Sequence, residues 1–269
     1  MNPHDLLEPT MAIARHAGSV LLKNFRQPIA RSFKSSDIDI VTAADKETEA
    51  YIVPELLKLT PTYHIVGEEG GGQGASRDTA DYLWFVDPLD GTVNFASNIP
   101  YFAVAIALVD KAMTPLLGVI YEPNRDEMFT AIQGNGSFLN GQRLQVSDTH
   151  ELSQAVLTSG FAYDRRTNPD NNLAQWNAFT LIARDMRRFG SAALDLCAVA
   201  AGRGDGYWER HLNPWDAVAG MLIAREAGAI VTDYEGGDMP HTGADGRYVA
   251  ANPTLHPKML EVIQKSYQG

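Results

Sequence analysis

The chain has 269 residues, with 22 basic and 33 acidic side chains and a formal net charge of −11. Hydrophobic residues make up 45% of it and charged residues 20%, which is typical of a globular protein and excludes a disordered chain, a collagen-like chain and a coiled coil. So acidic a chain is a poor candidate for general nucleic-acid binding or for anionic membranes, because both need basic patches. Clustered carboxylates could instead bind cations.

Cysteine content and hydropathy predict a cytoplasmic protein without a membrane partner. The single cysteine, Cys197, excludes an intrachain disulfide and a cysteine-based zinc site, and its apolar neighbours predict that it fills the core. Residues 1–7 lack the basic and apolar regions of a signal peptide. The longest apolar run, 101–109, is far shorter than the ~20 residues of a membrane-spanning helix.

Hydrophobic spacing in the first half predicts two helices, two short strands and a meander. The helices cover 3–25 and 43–59, with Thr42 as the N-cap of the second. The strands cover 63–66 and 83–86, and the glycine-rich stretch 67–74 between them is typical of a mobile loop. The strands of the meander are predicted at 102–109, 116–121, 128–132 and around Phe138, before an Asn140-Gly141 turn.

The second half alternates strands with helices. Strands are predicted at 155–158, 205–208, 230–232 and 248–251, and helices at 173–185, 192–201, 215–227 and 257–266. This order predicts an α/β fold in which layered sheets are covered by helices. We expect one domain over 1–269, with an N-terminal lobe of about 1–150 and a C-terminal lobe of about 151–269.

An acidic segment follows the strand at 83–86. The strand ends in Asp87, and Asp90 follows three residues later. Pro88 stiffens the connection, and a turn at Pro88-Leu89 would bring both carboxylates to one side with the Leu89 carbonyl between them. Two like charges this close repel unless a cation lies between them, and Mg²⁺ prefers oxygen ligands of this kind. The alternative is an ordinary β-turn with an Asx cap.

The residues after Asp90 add a candidate phosphate site. Gly91 and Thr92 allow the backbone to turn into a short helix, whose N-terminal N–H groups attract anions. Carboxylates that bind metal beside such a helix start are the components of phosphoryl chemistry.

Two further acids lie at element ends. Glu68 follows the strand at 63–66, although a glutamate pair in a loop can also be simply solvated. Asp216 lies in the first turn of the helix predicted at 215–227, where it can also serve only the helix dipole. The sequence contains no P-loop, no G-x-S-x-G and no H-E-x-x-H motif, so other common hydrolytic machinery is missing.

At these residues the sequence resembles the inositol monophosphatase family of metal-dependent sugar phosphatases. The resemblance covers about residues 5–265, and its segments are 67–69, 87–95, 190–193 and 215–220, with Lys34-Ser35-Ser36, Asp39, 41–43 and Asp45 near the N-terminus. It implies an αβαβα sandwich of the inositol monophosphatase and fructose-1,6-bisphosphatase type. It also implies a homodimer, two or three Mg²⁺ ions and inhibition by Li⁺.

The resemblance also implies a set of metal ligands. Glu68, Asp87 and the Leu89 carbonyl would hold the first ion. Asp87, Asp90 and Asp216 would hold the second, with Asp87 bridging the two. Glu68 would also help to hold a weaker third ion.

The same resemblance implies roles around the phosphate. Gly91 and Thr92 would donate hydrogen bonds to the phosphate oxygens. Asp45 and Thr92 would orient or deprotonate the attacking water, so that these two residues and Glu68 form the catalytic set.

On the substrate side, the resemblance implies that Glu209 contacts sugar hydroxyls. It further implies that the backbone of Gly190, Ser191 and Ala192 approaches the polyol beside Asp216. The residues themselves also allow a solvated strand end for Glu209 and an N-cap for Ser191, while Lys34 could offset carboxylate charge or simply be solvated.

The triplet Val93-Asn94-Phe95 resembles the inositol-specific side of the family. The leading hypothesis is therefore a Mg²⁺-dependent hydrolase of inositol monophosphate. The alternatives are a broader sugar phosphatase, acting on fructose 1,6-bisphosphate or histidinol phosphate, and a regulatory or interaction protein on the same scaffold.

Overall fold

The computed structural model describes residues 2–27, 31–33, 40–237 and 246–267. The motif residues Lys34, Ser35, Ser36 and Asp39 lie outside these ranges. A two-stranded antiparallel sheet of β1 (Arg31–Phe33) and β2 (Ile40–Thr42) precedes the main body of the protein.

An eight-stranded sheet occupies the first half, in the order β10-β9-β8-β7-β6-β5-β3-β4. Its strands are β3 (His64–Gly67), β4 (Gly71–Gly74), β5 (Tyr82–Asp90), β6 (Ala103–Asp110), β7 (Pro115–Glu122), β8 (Glu127–Ile132), β9 (Ser137–Leu139) and β10 (Gln142–Arg143). Neighbouring strands are antiparallel except β3 and β5, which are parallel. The predicted meander is therefore confirmed.

The central strands of this sheet are buried on both faces. Successive side chains of a strand point to opposite faces, so each strand contributes to two cores. Val104 and Ile106 of β6 share a core with α1 (Pro3–Asn24) and α2 (Ala43–Leu59). The intervening alanines, Ala105 and Ala107, belong to a second core on the other face. The helix predicted over 43–59 has the observed bounds, and Thr42 caps it in a capping box with Asp45.

A five-stranded sheet follows, in the order β12-β11-β13-β15-β14. Its strands are β11 (Val156–Ser159), β12 (Asp185–Arg187), β13 (Gly206–Leu212), β14 (Ile230–Thr232) and β15 (Gly246–Ala251), with a 3₁₀ turn at Leu152–Gln154 before them. Strand β11 is parallel to β12 and β13, whereas β15 is antiparallel to β13 and β14.

Helices separate and cover the two sheets. The second core lies between them and contains α5 (Ala192–Ala200), with Cys197, and α6 (Pro214–Glu226). The outer face of the smaller sheet packs against α4 (Leu173–Thr180) and α7 (Leu255–Tyr267). The layers are therefore helix, sheet, helix, sheet, helix, which confirms the expected αβαβα sandwich. Within the described ranges, no helix combines the length and the apolar character needed to cross a bilayer.

Two predicted elements are wrong. The helix expected over 173–185 ends at Thr180, because Arg184 and Asp185 donate to the Ala155 carbonyl and the chain joins β11 as β12. The loop expected over 67–74 contains β4, which pairs with β3 in an antiparallel ladder. Tertiary pairing overrides local propensity in both segments.

Candidate active site

A pocket opens beside the end of β5 and the start of α5 and α6, and most of the predicted site residues line it. They are Glu68, Asp87, Leu89, Asp90, Gly91, Thr92, Gly190, Ser191, Ala192, Glu209 and Asp216. Asp45 lies behind this lining, fully buried, and reaches the pocket through Thr92. The fold therefore brings together segments that lie far apart in the sequence.

A bulge in β5 places the two central aspartates. Asp87 pairs with Ala105 and Asp90 with Ala103, so three residue steps on β5 match two on β6. Residues three apart in a regular strand point to opposite faces, and the extra residue of a bulge removes this difference. The predicted turn at Pro88-Leu89 is wrong in form, because the strand continues through the bulge. The Leu89 N–H donates to Asp87 Oδ1 at 2.9 Å, so the alternative of an Asx-type contact is also present.

Asp90 links the large sheet to the helix layer. Its Oδ2 accepts from the Ser191 hydroxyl at 2.5 Å and from the Ala193 N–H at 2.8 Å. Ser191 is also the N-cap of α5, accepting from the Leu194 N–H at 3.3 Å, as the capping alternative predicted. The start of α5 is thereby held against the bulge.

Asp216 and Glu68 complete the acidic group. Asp216 Oδ2 accepts from the Asn213 N–H at 2.8 Å in a capping box at the start of α6. Asp216 therefore also stabilises the N-terminus of this helix, which was the alternative interpretation of this residue. Glu68 follows β3, and its N–H donates to the Val86 carbonyl at 3.2 Å. The side chains of Glu68 and Asp87 share a hydrogen bond.

Burial and mutual repulsion perturb these acids. Burial, followed by the charges of Glu68, Asp90 and Asp216, raises the pKa of Asp87 well above its ordinary value. Burial and the charges of Glu68 and Asp90 likewise raise the pKa of Asp216. Burial raises the pKa of Asp90 to about 6 against the hydrogen bonds from α5. Such a group is stabilised by cations or by protons.

The donor set fits Mg²⁺. All the candidate ligands are oxygens, and two carboxyl groups in hydrogen-bond contact need a proton or a cation between them. In the part of the chain that the structure describes, no three His, Cys, Asp or Glu side chains already form a coordination sphere. One oxygen each of Asp87, Asp90 and Asp216 is instead bound to a backbone N–H, which orients the carboxylate and leaves it a second oxygen.

Asp45 and Thr92 form a buried hydrogen-bonded pair. Asp45 Oδ2 accepts from the N–H and the hydroxyl of Thr42, and its Oδ1 lies 3.0 Å from Thr92 Oγ1. Burial raises the pKa of Asp45 to about 6. Thr92 begins the short helix α3 (Thr92–Ala96), as predicted, after Gly91 with φ 94°. A side chain at Gly91 would meet the Tyr101 carbonyl at 3.0 Å, so glycine is required there.

The pocket lining also contains Glu209. The Tyr207 hydroxyl donates to Glu209 Oε2 at 2.8 Å, and burial raises the pKa of this glutamate to about 7. A Cβ atom at Gly160 would lie only 2.0 Å from Glu209 Oε1, so the backbone of Gly160 forms the adjacent wall. Asn94, from the triplet singled out in the sequence, donates to the Phe189 carbonyl at 2.7 Å and thereby fixes the turn before Ser191.

Sequence reasoning missed other residues of the lining, including Asp195 and Arg188. Asp195 is buried, its Oδ1 has no hydrogen-bond partner in the protein, and burial and the charge of Glu209 raise its pKa. A single acid within the apolar helix of residues 192–200 was the available signal. No comparable signal marks Arg188, which the fold brings to the pocket from the turn after β12.

Comparison with known proteins agrees with this architecture. The chain matches the inositol monophosphatase family over residues 2–268 and belongs to that family. It is 41% identical to the Nus factor SuhB of Pasteurella multocida over 266 residues, which are 98% of this chain and 97% of that protein. It is also 41% identical to the inositol-1-monophosphatase of Synechocystis over 230 residues, covering 86% and 78% of the two chains.

Solved structures of the same family superpose closely. The inositol monophosphatase of Anabaena (Nostoc) sp. PCC 7120 is 40% identical, with a TM-score of 0.87 over 97% of this chain and 96% of that one. The IMPase of Thermotoga maritima is 31% identical, with a TM-score of 0.88 over 98% of each chain.

Proposed function

We propose that this protein is a Mg²⁺-dependent phosphomonoesterase whose preferred substrate is inositol monophosphate. The observation that carries the proposal is the contact between the half-buried Glu68 and the buried Asp87, with Asp90 and Asp216 close enough to repel them, beside the start of α3. Membership of the family and the name of the Synechocystis relative support the same activity.

Two ions would be bound as the family resemblance implies. Glu68, Asp87 and the Leu89 carbonyl would hold the first, and Asp87, Asp90 and Asp216 the second, with Glu68 also available to a third. Bound Mg²⁺ would supply Lewis acidity, which makes water more acidic and stabilises charge on the phosphoryl oxygens.

The protein groups beside this site would position the phosphate and the water. The first intrahelical bond of α3 is donated by Phe95 to the Gly91 carbonyl, so the N–H groups of Gly91 and Thr92 lie before it and suit a phosphate oxygen. A water held at the Thr92 hydroxyl can pass its proton toward Asp45, because Thr92 Oγ1 is 3.0 Å from Asp45 Oδ1.

The substrate-side residues would recognise a polyol. Glu209 offers a buried carboxylate to sugar hydroxyls, and the backbone of Gly190, Ser191 and Ala192 offers hydrogen-bonding groups beside Asp216. The same groups suit other small phosphate esters, which keeps the sugar fructose 1,6-bisphosphate and the amino-alcohol ester histidinol phosphate as alternative substrates. We further propose a homodimer inhibited by Li⁺, as the resemblance implies, and a cytoplasmic location, as the sequence analysis predicts.

The test is a panel of phosphate esters. Inositol 1-phosphate, fructose 1,6-bisphosphate and histidinol phosphate are assayed with Mg²⁺, then with EDTA, then with Li⁺ added to Mg²⁺. We expect the highest kcat/KM for inositol 1-phosphate and complete loss of turnover in EDTA. Turnover that survives EDTA would refute the proposal, and a higher kcat/KM for another ester would reassign the substrate.

The second candidate is a role in an assembly, favoured by the several relatives named Nus factor SuhB. Undetectable turnover on the whole panel, together with a stable complex isolated from cells, would support this role instead of catalysis.

A further inference from the structure

Glu49 is a buried acid that the proposed reaction does not use. It lies on α2 one turn after Asp45, and only 5% of it is exposed. Burying an acid is costly unless its oxygens have partners, so its surroundings are informative. Those surroundings are the connection between β3 and β4.

The Glu49 carboxylate fills the inside of this connection. Its Oε2 accepts from the Glu69 N–H at 2.9 Å. A Cβ atom at Gly67 would lie 2.4 Å from Oε2, and one at Gly70 would lie 2.6 Å from Oε1. Real Cβ atoms essentially never come so close, so both glycines leave room for this one carboxylate.

The same connection carries Glu68. Gly67 and Gly71 pair across the base of the connection, and only residues 68–70 lie between them. On its other side, the Glu68 N–H donates to the Val86 carbonyl, directly before Asp87. Glu68 is therefore held between β5 and α2, and Glu49 makes the contact on the α2 side.

We propose that Glu49 is a positioning residue that fixes the turn at 67–70, so that Glu68 meets Asp87 and binds the first Mg²⁺ ion. This inference rests on the proposed metal site. It assigns α2 two tasks, because the helix presents Asp45 at its start and supports Glu68 one turn later. Without the Glu49 carboxylate, the turn loses an internal hydrogen bond and its packed centre.

The test compares variants that alter this contact from either side. Glu49→Ala removes the acceptor, Glu49→Gln keeps an oxygen that can accept from Glu69, and Gly70→Ala places a methyl group against the intact carboxylate. Glu55→Gln is the matched control, since it removes one negative charge from the same helix at a residue paired with exposed Lys58.

Mn²⁺ binding followed by electron paramagnetic resonance is the principal readout, because it needs no turnover. We expect Glu49→Ala and Gly70→Ala to weaken the tightest Mn²⁺ site by about 10–100-fold, the usual effect of removing support from a metal ligand. Glu49→Gln should restore most of the affinity, and Glu55→Gln should bind as the wild type does. The Mg²⁺ concentration for half-maximal activity should shift in parallel, with kcat at saturating Mg²⁺ little changed.

Wild-type Mn²⁺ affinity in both Glu49→Ala and Gly70→Ala would overturn the inference. A lower melting temperature with unchanged affinity would likewise show that Glu49 only anchors α2. If Glu49→Ala does not fold, Gly70→Ala decides between the two roles, because it disturbs the turn while the Glu49 carboxylate stays intact. Intact Mn²⁺ binding by a wild type that hydrolyses no ester would refute the proposed function but leave this test of Glu49 valid.

Discussion

Single acids in the pocket serve both the backbone and the proposed metal site. Asp87 accepts from Leu89, Asp90 from Ala193, and Asp216 from Asn213, each through one carboxylate oxygen. These contacts fix the carboxylates before any ligand binds. A substitution that keeps one oxygen acceptor therefore separates the metal role from the structural role.

Asp87→Asn makes this separation at the bridging position. The amide oxygen can still accept from the Leu89 N–H, but the negative charge shared by both ions is lost. We expect Mg²⁺-dependent turnover to fall by at least ~10³-fold, since Lewis-acid stabilisation supplies several kcal/mol. In EDTA, the variant should unfold at or above the wild-type temperature, because one of several repelling buried charges is gone.

Steady-state kinetics and thermal unfolding check this prediction together. Near-normal turnover by a folded Asp87→Asn protein would contradict the ligand assignment. A large fall in melting temperature in EDTA would show that Asp87 is mainly structural.

The sequence predicted about half of the pocket lining, chiefly residues that belong to short motifs at element ends. Arg188 carries no such signal, because it reaches the pocket only after β12 packs, whereas Asp195 was missed although a single acid in an apolar helix was a usable signal. The bulge between Asp87 and Asp90 was also beyond local reasoning, because a bulge is defined by the partner strand.

At the scale of elements, the prediction succeeds where local residue patterns determine the bounds of an element. It fails where pairing with a distant strand determines them. Helix α1 carries a strong periodicity and α2 a clear N-cap signal, and the observed bounds lie close to those predicted. The segment after α4 is apolar without clear periodicity, and Leu181 remains 87% exposed where a continuous helix was expected. Its pairing with β11 is non-local, so sequence reasoning missed it.

The contact between α7 and β14 gives a pH prediction. His256 on α7 is only 4% exposed, its Nε2 lies 2.9 Å from Thr232 Oγ1, and burial lowers its pKa. The unfolded chain, with the ordinary pKa of about 6.5, then binds a proton more readily than the folded one. This contribution to stability is present above about pH 6.5 and is lost as pH falls toward the folded pKa.

Urea unfolding of the wild type and His256→Gln in EDTA, over a pH series, measures this effect. Below pH ~6.5 the wild type should lose stability more steeply than the variant, by up to about 1.4 kcal/mol per pH unit. Parallel pH profiles would show that His256 does not titrate between the two states.

At the scale of the whole molecule, α6 joins the two sheets. Ala219 packs so closely on β7 that a Cβ atom at Gly118 would lie 2.9 Å from its carbonyl oxygen. On another side, Gly220 leaves room for Leu196 of α5. Because Asp216 begins this helix, the geometry of the pocket depends on the stacking of all the layers. The resemblance predicted these layers, but it did not give the strand order of the smaller sheet.

Mg²⁺ should therefore stabilise the entire fold. When the free concentration of an ion is 100 times its Kd, and the ion binds only the folded state, it adds about 2.7 kcal/mol to the free energy of unfolding. We expect urea midpoints to rise with Mg²⁺ for the wild type and much less for Asp216→Asn. Calorimetric titration supplies the Kd for this calculation, and an unchanged wild-type midpoint at saturating Mg²⁺ would contradict it.

The wide spacing of the pocket acids along the chain has a consequence for biosynthesis. Asp45, Glu68, Asp87 and Asp90 leave the ribosome long before Asp216, which arrives with the helix between the sheets. Any nascent or truncated polypeptide that stops before Asp216 lacks one of the proposed ligands, whatever structure it has reached. On the proposed assignment, the complete metal site therefore belongs only to chains whose synthesis has passed this residue.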